Sequence, residues 1–180
     1  LGHPNSRPWL LQEQEFIEWH LEFFRKFLEE FGVPSTLLVK VNETVDMLEK
    51  LSCHTDLTIE LNEGEKIPGL SEWKVLETKG HAQSHLSFYR EKDQVLISGD
   101  HIIKHISSNA QIEPPLNHNE ERVKPLNQYI NNLKKCTNMS INLVLTGHGL
   151  PVTDLQPLVT YRLNEVEKRL AHIKQIIKEG

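Results

Sequence analysis

Apolar residues recur at helical spacing from Gln12 to Phe31, where Phe16, Ile17, Leu21, Phe24, Phe27, Leu28 and Phe31 mark one stripe and Gly32-Val33-Pro34 stops it. The pattern predicts a helix there, after a loop over "LGHPNSRPW" (1–9). A second helix is predicted from Ser35 to about Leu51, with Ser35 as its cap and Glu43, Asp46, Glu49 and Lys50 keeping one side wet. The texture changes at Leu57. "LTIEL" (57–61) is a short strand candidate, "NEGEKIPG" (62–69) is turn chemistry, and "EWKVLET" (72–78) alternates. "HLSFYR" (85–90) and "QVLIS" (94–98) are further short strands joined by the polar turn "EKD". A Pro-containing polar connection (109–119) leads to a helix near 120–136. "INLVL" (141–145) is a continuous apolar run of the kind buried on both faces, and a charged amphipathic helix from Leu155 to Glu179 closes the chain.

Strands mixed with helices define an α/β (α+β layered) fold, divided into a helical cover segment over 1–56 and a strand-bearing segment over 57–180. With 180 residues, 38% hydrophobic and 25% charged, the composition suits one ordinary globular domain. No apolar run is long enough to span a bilayer, so no membrane association is expected. A net charge of -5 without a long basic block argues against a nucleic-acid partner. Cys53 and Cys136 lack CxxC spacing and suit two reduced thiols in a cytoplasmic protein. The start at Leu1 without an initiator methionine sets the expectation of a fragment.

Three apolar runs end in glycine followed by a histidine or an aspartate: "TKGH" (78–81), "SGD" (98–100) and "TGHG" (146–149). Each alone reads more readily as a turn than as a ligand. Together, His81, Asp100 and His148 are two imidazoles and a two-oxygen carboxylate on loops beyond strand ends, a donor set suited to first-row metal ions. His85 makes an H-x-x-x-H pair with His81, but the strand pattern that follows excludes the helical zinc motif. A Ser-His-Asp triad is disfavoured because no G-x-S-x-G elbow occurs.

The ordered set "TKGHAQSHLSFY", "VLISGDH" and "LVLTGHG" resembles the second half of a metallo-β-lactamase-fold hydrolase. The resemblance implies part of an αββα sandwich: a C-terminal sheet with flanking helices, preceded by an N-terminal helical segment. It also implies that His81 completes the first zinc site, Asp100 bridges both zinc ions and is the catalytic carboxylate, and His148 completes the second site. His85 would support the site without binding metal. His101, His105 and Asn109 follow the bridging position as candidates for contacts to substrate or to the ligands. The upstream H-x-H-x-D-H motif of the family is absent, and neither His3 nor His20 replaces it. A catalytic zinc keeps three protein ligands and an open position. Two zinc ions are therefore expected in the intact protein and weak or absent binding in this chain.

Two functions follow. The first is a metal-dependent hydrolase in which two ions acidify a water whose hydroxide attacks an ester, thioester or similar bond of a small-molecule substrate. The second is a catalytically inactive scaffold or interaction domain that retains the fold. Loss of the first half of the sandwich would expose an apolar face, so self-association is also expected.

Overall fold

The two long amphipathic patterns at the start of the chain form helices, and the alternating segments after residue 69 form a sheet in which neighbours in sequence pair in space. The structure is a computed structural model. It describes residues 1–116 and 120–179, without the side chains of Val39, Val41, Asn42, Thr44, Asp46, Leu48 and Glu49, so the wet-face roles of Asp46 and Glu49 lie outside it. Two compact units are present: residues 1–61 with 112–123, and residues 62–111 with 124–180. The helical unit thus runs past the expected limit at residue 56 and takes in a segment distant in sequence.

In the helical unit, α1 (Arg7–Leu10) leads to α2 (Gln14–Glu30) and α3 (Ser35–Leu51). Pro34 O accepts the Leu37 N–H at 2.9 Å, so the cap position falls on Pro34 and Ser35 is the first helical residue. "LTIEL" forms no strand. Gly2 exchanges bonds with Ile59 O (3.2 Å) and Leu61 N (2.8 Å), and the ladder ends there because Pro4 has no N–H and opens a 3-10 turn. Trp9 and Phe16 enclose His20, with ring centroids 4.7 and 4.2 Å away, and its Nδ1 donates to Phe16 O at 3.1 Å.

Burial lowers the His20 pKa from its ordinary 6.5, against a smaller opposing influence of the Phe16 carbonyl. The unfolded chain therefore takes up a proton more readily than the folded one. The stability contributed by a neutral His20 is complete above pH 6.5 and is lost as pH falls through the folded value. Denaturant titrations at pH 7 and pH 5 should show a lower midpoint at pH 5, the His20 share being at most ~1.4 kcal/mol per pH unit. His20→Phe should flatten that slope; an unchanged slope would remove His20 as its source.

The second unit carries β1 (Lys66–Ile67), β2 (Leu70–Glu77), β3 (Leu86–Arg90), β4 (Val95–Gly99) and β5 (Leu143–Thr146), in the spatial order β1-β2-β3-β4-β5. All pairs are antiparallel except β4 with β5, which is parallel. Helices α4 (Pro125–Thr137) and α5 (Leu155–Glu179) cover one face. Leu96 and Val144 pack there against Leu133, Cys136 and Val159, all nearly or completely buried. Helix α4 starts later than the pattern near residue 120 predicts, because Pro125 occupies its first turn and holds Lys124 out of helical geometry (φ -110°, ψ 80°).

Burial of "INLVL" on both faces is not what the structure shows. Val144 is fully buried, but Leu145 and its register partner Ile97 remain 38% and 36% exposed on the opposite face. A continuous apolar run reports hydrophobicity on both sides of a strand, not whether both sides are covered. Among the described residues, no helix is long and apolar enough to cross a membrane.

Candidate metal centre

Strand direction decides which residues meet. The ends of β2 and β4, the start of antiparallel β3 and the end of β5, parallel to β4, all lie on one rim of the sheet. The loop after β2 carries His81, His85 immediately precedes β3, Asp100 follows β4 and His148 follows β5. His81 Nε2 lies 3.5 Å from Asp100 Oδ2, and His148 Nε2 lies 3.3 Å from Asp100 Oδ1. One carboxylate therefore faces two imidazoles through different oxygens. Gly147 is needed for this approach: a Cβ at that position would collide with Asp100 Oδ1.

The orientation of His81 is set from behind. Its Nδ1 is 3.1 Å from Asn109 O and 3.2 Å from Ser108 Oγ. A carbonyl only accepts, so the bond to Asn109 requires a proton on Nδ1. In the neutral ring, Nε2 then presents a lone pair toward a carboxylate oxygen. Two acceptors facing each other need a proton or a cation between them, and this arrangement is what a metal-ligating histidine needs.

His85 does a different job. Its Nε2 accepts the Asp100 backbone N–H at 3.1 Å, which assigns the ring proton to Nδ1, directed at Thr78 Oγ1 at 2.8 Å. Thr78 then donates to Ser87 Oγ (2.7 Å), and Ser87 Oγ donates to Ser98 O (3.3 Å). Every donor in this chain has an acceptor, running from the end of β2 through β3 to β4. Burial, assisted by His81 and opposed by Asp100, pushes the His85 pKa down to about 4, so the ring is neutral at pH 7. His85→Ala should leave the Asp100 amide without its acceptor and cost about 1–3 kcal/mol. Hydrogen exchange at that amide should accelerate; unchanged protection would show that the bond does not hold the loop.

The remaining candidates are dispersed. His101 is completely buried, edge-on to Tyr129 (5.4 Å), and neither ring nitrogen makes a hydrogen bond of ordinary geometry. Burial, then His85, lower its pKa to about 3, with the Asn132 backbone opposing. His105 is exposed beside Gly149, and Asn109 reaches His81 through its backbone carbonyl, so that contact does not use the side chain. Thr78 and Ser108 were not singled out by sequence patterns. A hydroxyl at a strand end two residues before "GH" is the signal that marks Thr78; Ser108 lies in ordinary loop polarity and has none.

Among the described residues, no group of three His, Cys, Asp or Glu side chains makes a set that could hold a metal ion. Each imidazole faces a different oxygen of Asp100. A cavity of about 940 Å³ is lined by Lys66, Lys74, Tyr89 and Lys135 among others and contains none of these rim residues.

These strand-end loops carry two histidines and, between them, one aspartate on a single rim of a layered fold of strands and helices. The metallo-beta-lactamase superfamily model matches residues 19–148, and the chain belongs to that superfamily. It is 34% identical over 179 residues to the probable metallo-hydrolase YqjP of Bacillus subtilis (strain 168), covering 99% of this chain and 56% of that protein. It is 26% identical over 107 residues to the lactamase-like protein aptB of Emericella nidulans, covering 59% of this chain and 30% of that protein. The metallo-beta-lactamase family protein TTHA1429 from Thermus thermophilus superposes with a TM-score of 0.75 at 24% identity, over 96% of this chain and 54% of its own. The chain thus spans about half the length of YqjP and less of aptB.

Proposed function

We propose that this chain carries the aspartate-bearing half of a dinuclear zinc hydrolase acting on an ester, thioester or similar bond. The observation that supports this most is Asp100, with one oxygen toward His81 and the other toward His148 at 3.5 and 3.3 Å. The donors fit metal ions in kind: two imidazole nitrogens and a carboxylate able to bridge. In number they give each ion one histidine and a share of Asp100, short of the usual three protein ligands. The rest would come from the H-x-H-x-D-H motif, which this sequence lacks. Ions held there would supply Lewis acidity and a water acidic enough to react near neutral pH. The protein's own part is positional: Asn109 O orients His81, His85 holds the Asp100 backbone, and Thr146 Oγ1 closes the His148 turn by donating to His148 O at 2.8 Å.

The absence of a three-residue metal set among the described residues favours a second reading, a scaffold that keeps the fold without the chemistry. Zinc calorimetry on the chelator-treated chain separates them. The hydrolase reading expects weak binding that falls about tenfold or more in His81→Ala. No heat from millimolar zinc would favour the scaffold. Stoichiometric zinc retained by a monomer through dialysis would refute the incomplete donor set.

A further inference from the structure

We propose that the outer half of α5 pairs antiparallel with the same helix of a second copy of this chain. The inference is independent of the metal reading and rests on one stripe of the helix. Val159, Leu163, Val166, Leu170, Ile173 and Ile177 follow one another at alternating four- and three-residue steps. That spacing keeps one seam of a helix apolar over successive heptads. The stripe has two fates. Val159 is buried, and Leu163 packs against the core of its own unit. Beyond Val166 the helix leaves that core: residues 167–179 are all exposed, with Leu170 at 41%, Ile173 at 45% and Ile177 at 73%. About 20 Å of helix therefore carries an apolar seam that its own core does not use.

Charge selects the occupant. With Leu163, Leu170 and Ile177 at the a positions of the heptad and Val166 and Ile173 at d, Glu167 and Lys174 fall at e, and Arg162, Arg169 and Ile176 at g. Neither Glu167 nor Lys174 makes an ion pair among the described residues; Lys168 and Glu165, which pair at 2.8 Å, lie away from the seam. A second copy, turned about a two-fold axis between Leu170 and Ile173, sets Leu170 against its Ile173 and Val166 against its Ile177. The same rotation sets Glu167 against Lys174, twice by symmetry. Arg169 then faces Ile176, over which its methylenes can lie. A parallel pair sets Arg169 against Lys174 twice, like charge on like charge. Its compensating contact, Arg162 with Glu167, uses a guanidinium already bonded to Lys104 O at 3.2 Å. The seam is thus complementary to itself in the antiparallel sense.

An isolated helix of this length is marginal in water, because nucleation fixes several residues for one hydrogen bond. Here the first half of α5 supplies the nucleus, with Leu155 and Val159 anchored in the core. Association then joins surfaces that are already formed, which lowers its entropic cost. Two heptads make a small interface, so the dimer is expected to be reversible, with a Kd of roughly 10–100 µM.

The test is sedimentation velocity on the full chain across that range, with thermal melts of each variant. The parent should pass reversibly from monomer to dimer. Leu170→Ser with Ile173→Ser should weaken the dimer at least about tenfold while the monomer melts unchanged, since neither side chain is in the core. Glu167→Lys and Lys174→Glu should each associate about tenfold more weakly than the parent, and an equal mixture of the two should recover its affinity. Recovery on mixing is the signature that a general loss of structure would not give. A tighter dimer in Lys174→Glu would mean a parallel pair and overturn the proposal. A dimer that survives the two serines would place the contact elsewhere, for example on the open sheet face at Ile97 and Leu145, and would overturn it too. So would a parent that stays monomeric throughout, or a monomeric longer protein in which the amides of residues 167–179 exchange slowly, which would give the stripe to another part of its own chain.

Discussion

Asp100→Ala is expected to abolish measurable zinc binding while the chain stays folded. His81 and His148 both face this carboxylate, each on its own oxygen at 3.5 and 3.3 Å. Alanine leaves two separate imidazoles, and a single histidine is a poor site for a divalent ion. Groups that merely orient a ligand are worth roughly ten- to hundredfold in metal affinity, so losing a shared ligand should cost at least the upper figure. Stability should change little. The side chain lies beyond the end of β4 and is partly solvated, and its backbone N–H keeps its bond to His85 Nε2 at 3.1 Å. Asp100→Asn should fall between, since it keeps shape and one acceptor oxygen but loses the charge. Calorimetry and thermal melts on the three proteins check the prediction. An alanine variant that binds zinc as the parent does would place the metal elsewhere; one that unfolds would make Asp100 a structural residue.

The strand-end positions of His81, Asp100 and His148 were legible because each follows an apolar run and a glycine, and antiparallel pairing with one parallel partner carries those ends to the same rim. Helix α5 was legible over its full length, Leu155–Glu179, since long charged amphipathic patterns have few competing solutions. What holds these side chains was not legible. The Asn109 contact is made by a carbonyl, which every residue possesses, and the relay from the His85 ring through the Thr78 and Ser87 hydroxyls to the Ser98 carbonyl has no fixed sequence spacing. The same limit applies to the open side of β5: hydrophobic pattern shows that Leu145 is suited to burial, whereas its exposure depends on what lies against it. The addition of 112–123 to the helical unit was equally hidden, being a matter of distant contacts such as Trp19 Nε1 donating to Pro115 O at 3.1 Å.

Gly80→Ala should produce the largest loss of stability among single substitutions around the centre, about 3 kcal/mol or more. Two costs combine. The Gly80 φ of +133° lies where side-chain-bearing residues are strained, worth about 1–3 kcal/mol. A Cβ there would also lie 2.7 Å from the N, Cα and Cβ of Tyr129, which are atoms of α4 and not the tip of a side chain that could swing aside. Helix α4 cannot withdraw without loss, because Gln128 and Gln83 exchange amide bonds at 2.7 and 3.0 Å and Asn132 Nδ2 donates to Lys79 O at 2.8 Å. Tyr129 and Leu133 of the same helix are nearly buried in the core, so any retreat opens cavities. The melting temperature should drop by roughly 6 °C or more for a chain of this size. If the variant folds at low temperature, its zinc affinity should fall too, since residue 80 sets the exit direction of His81. A loss below about 1 kcal/mol would mean that α4 and the 78–85 loop can separate, and that the rim is held by bonds other than those between them.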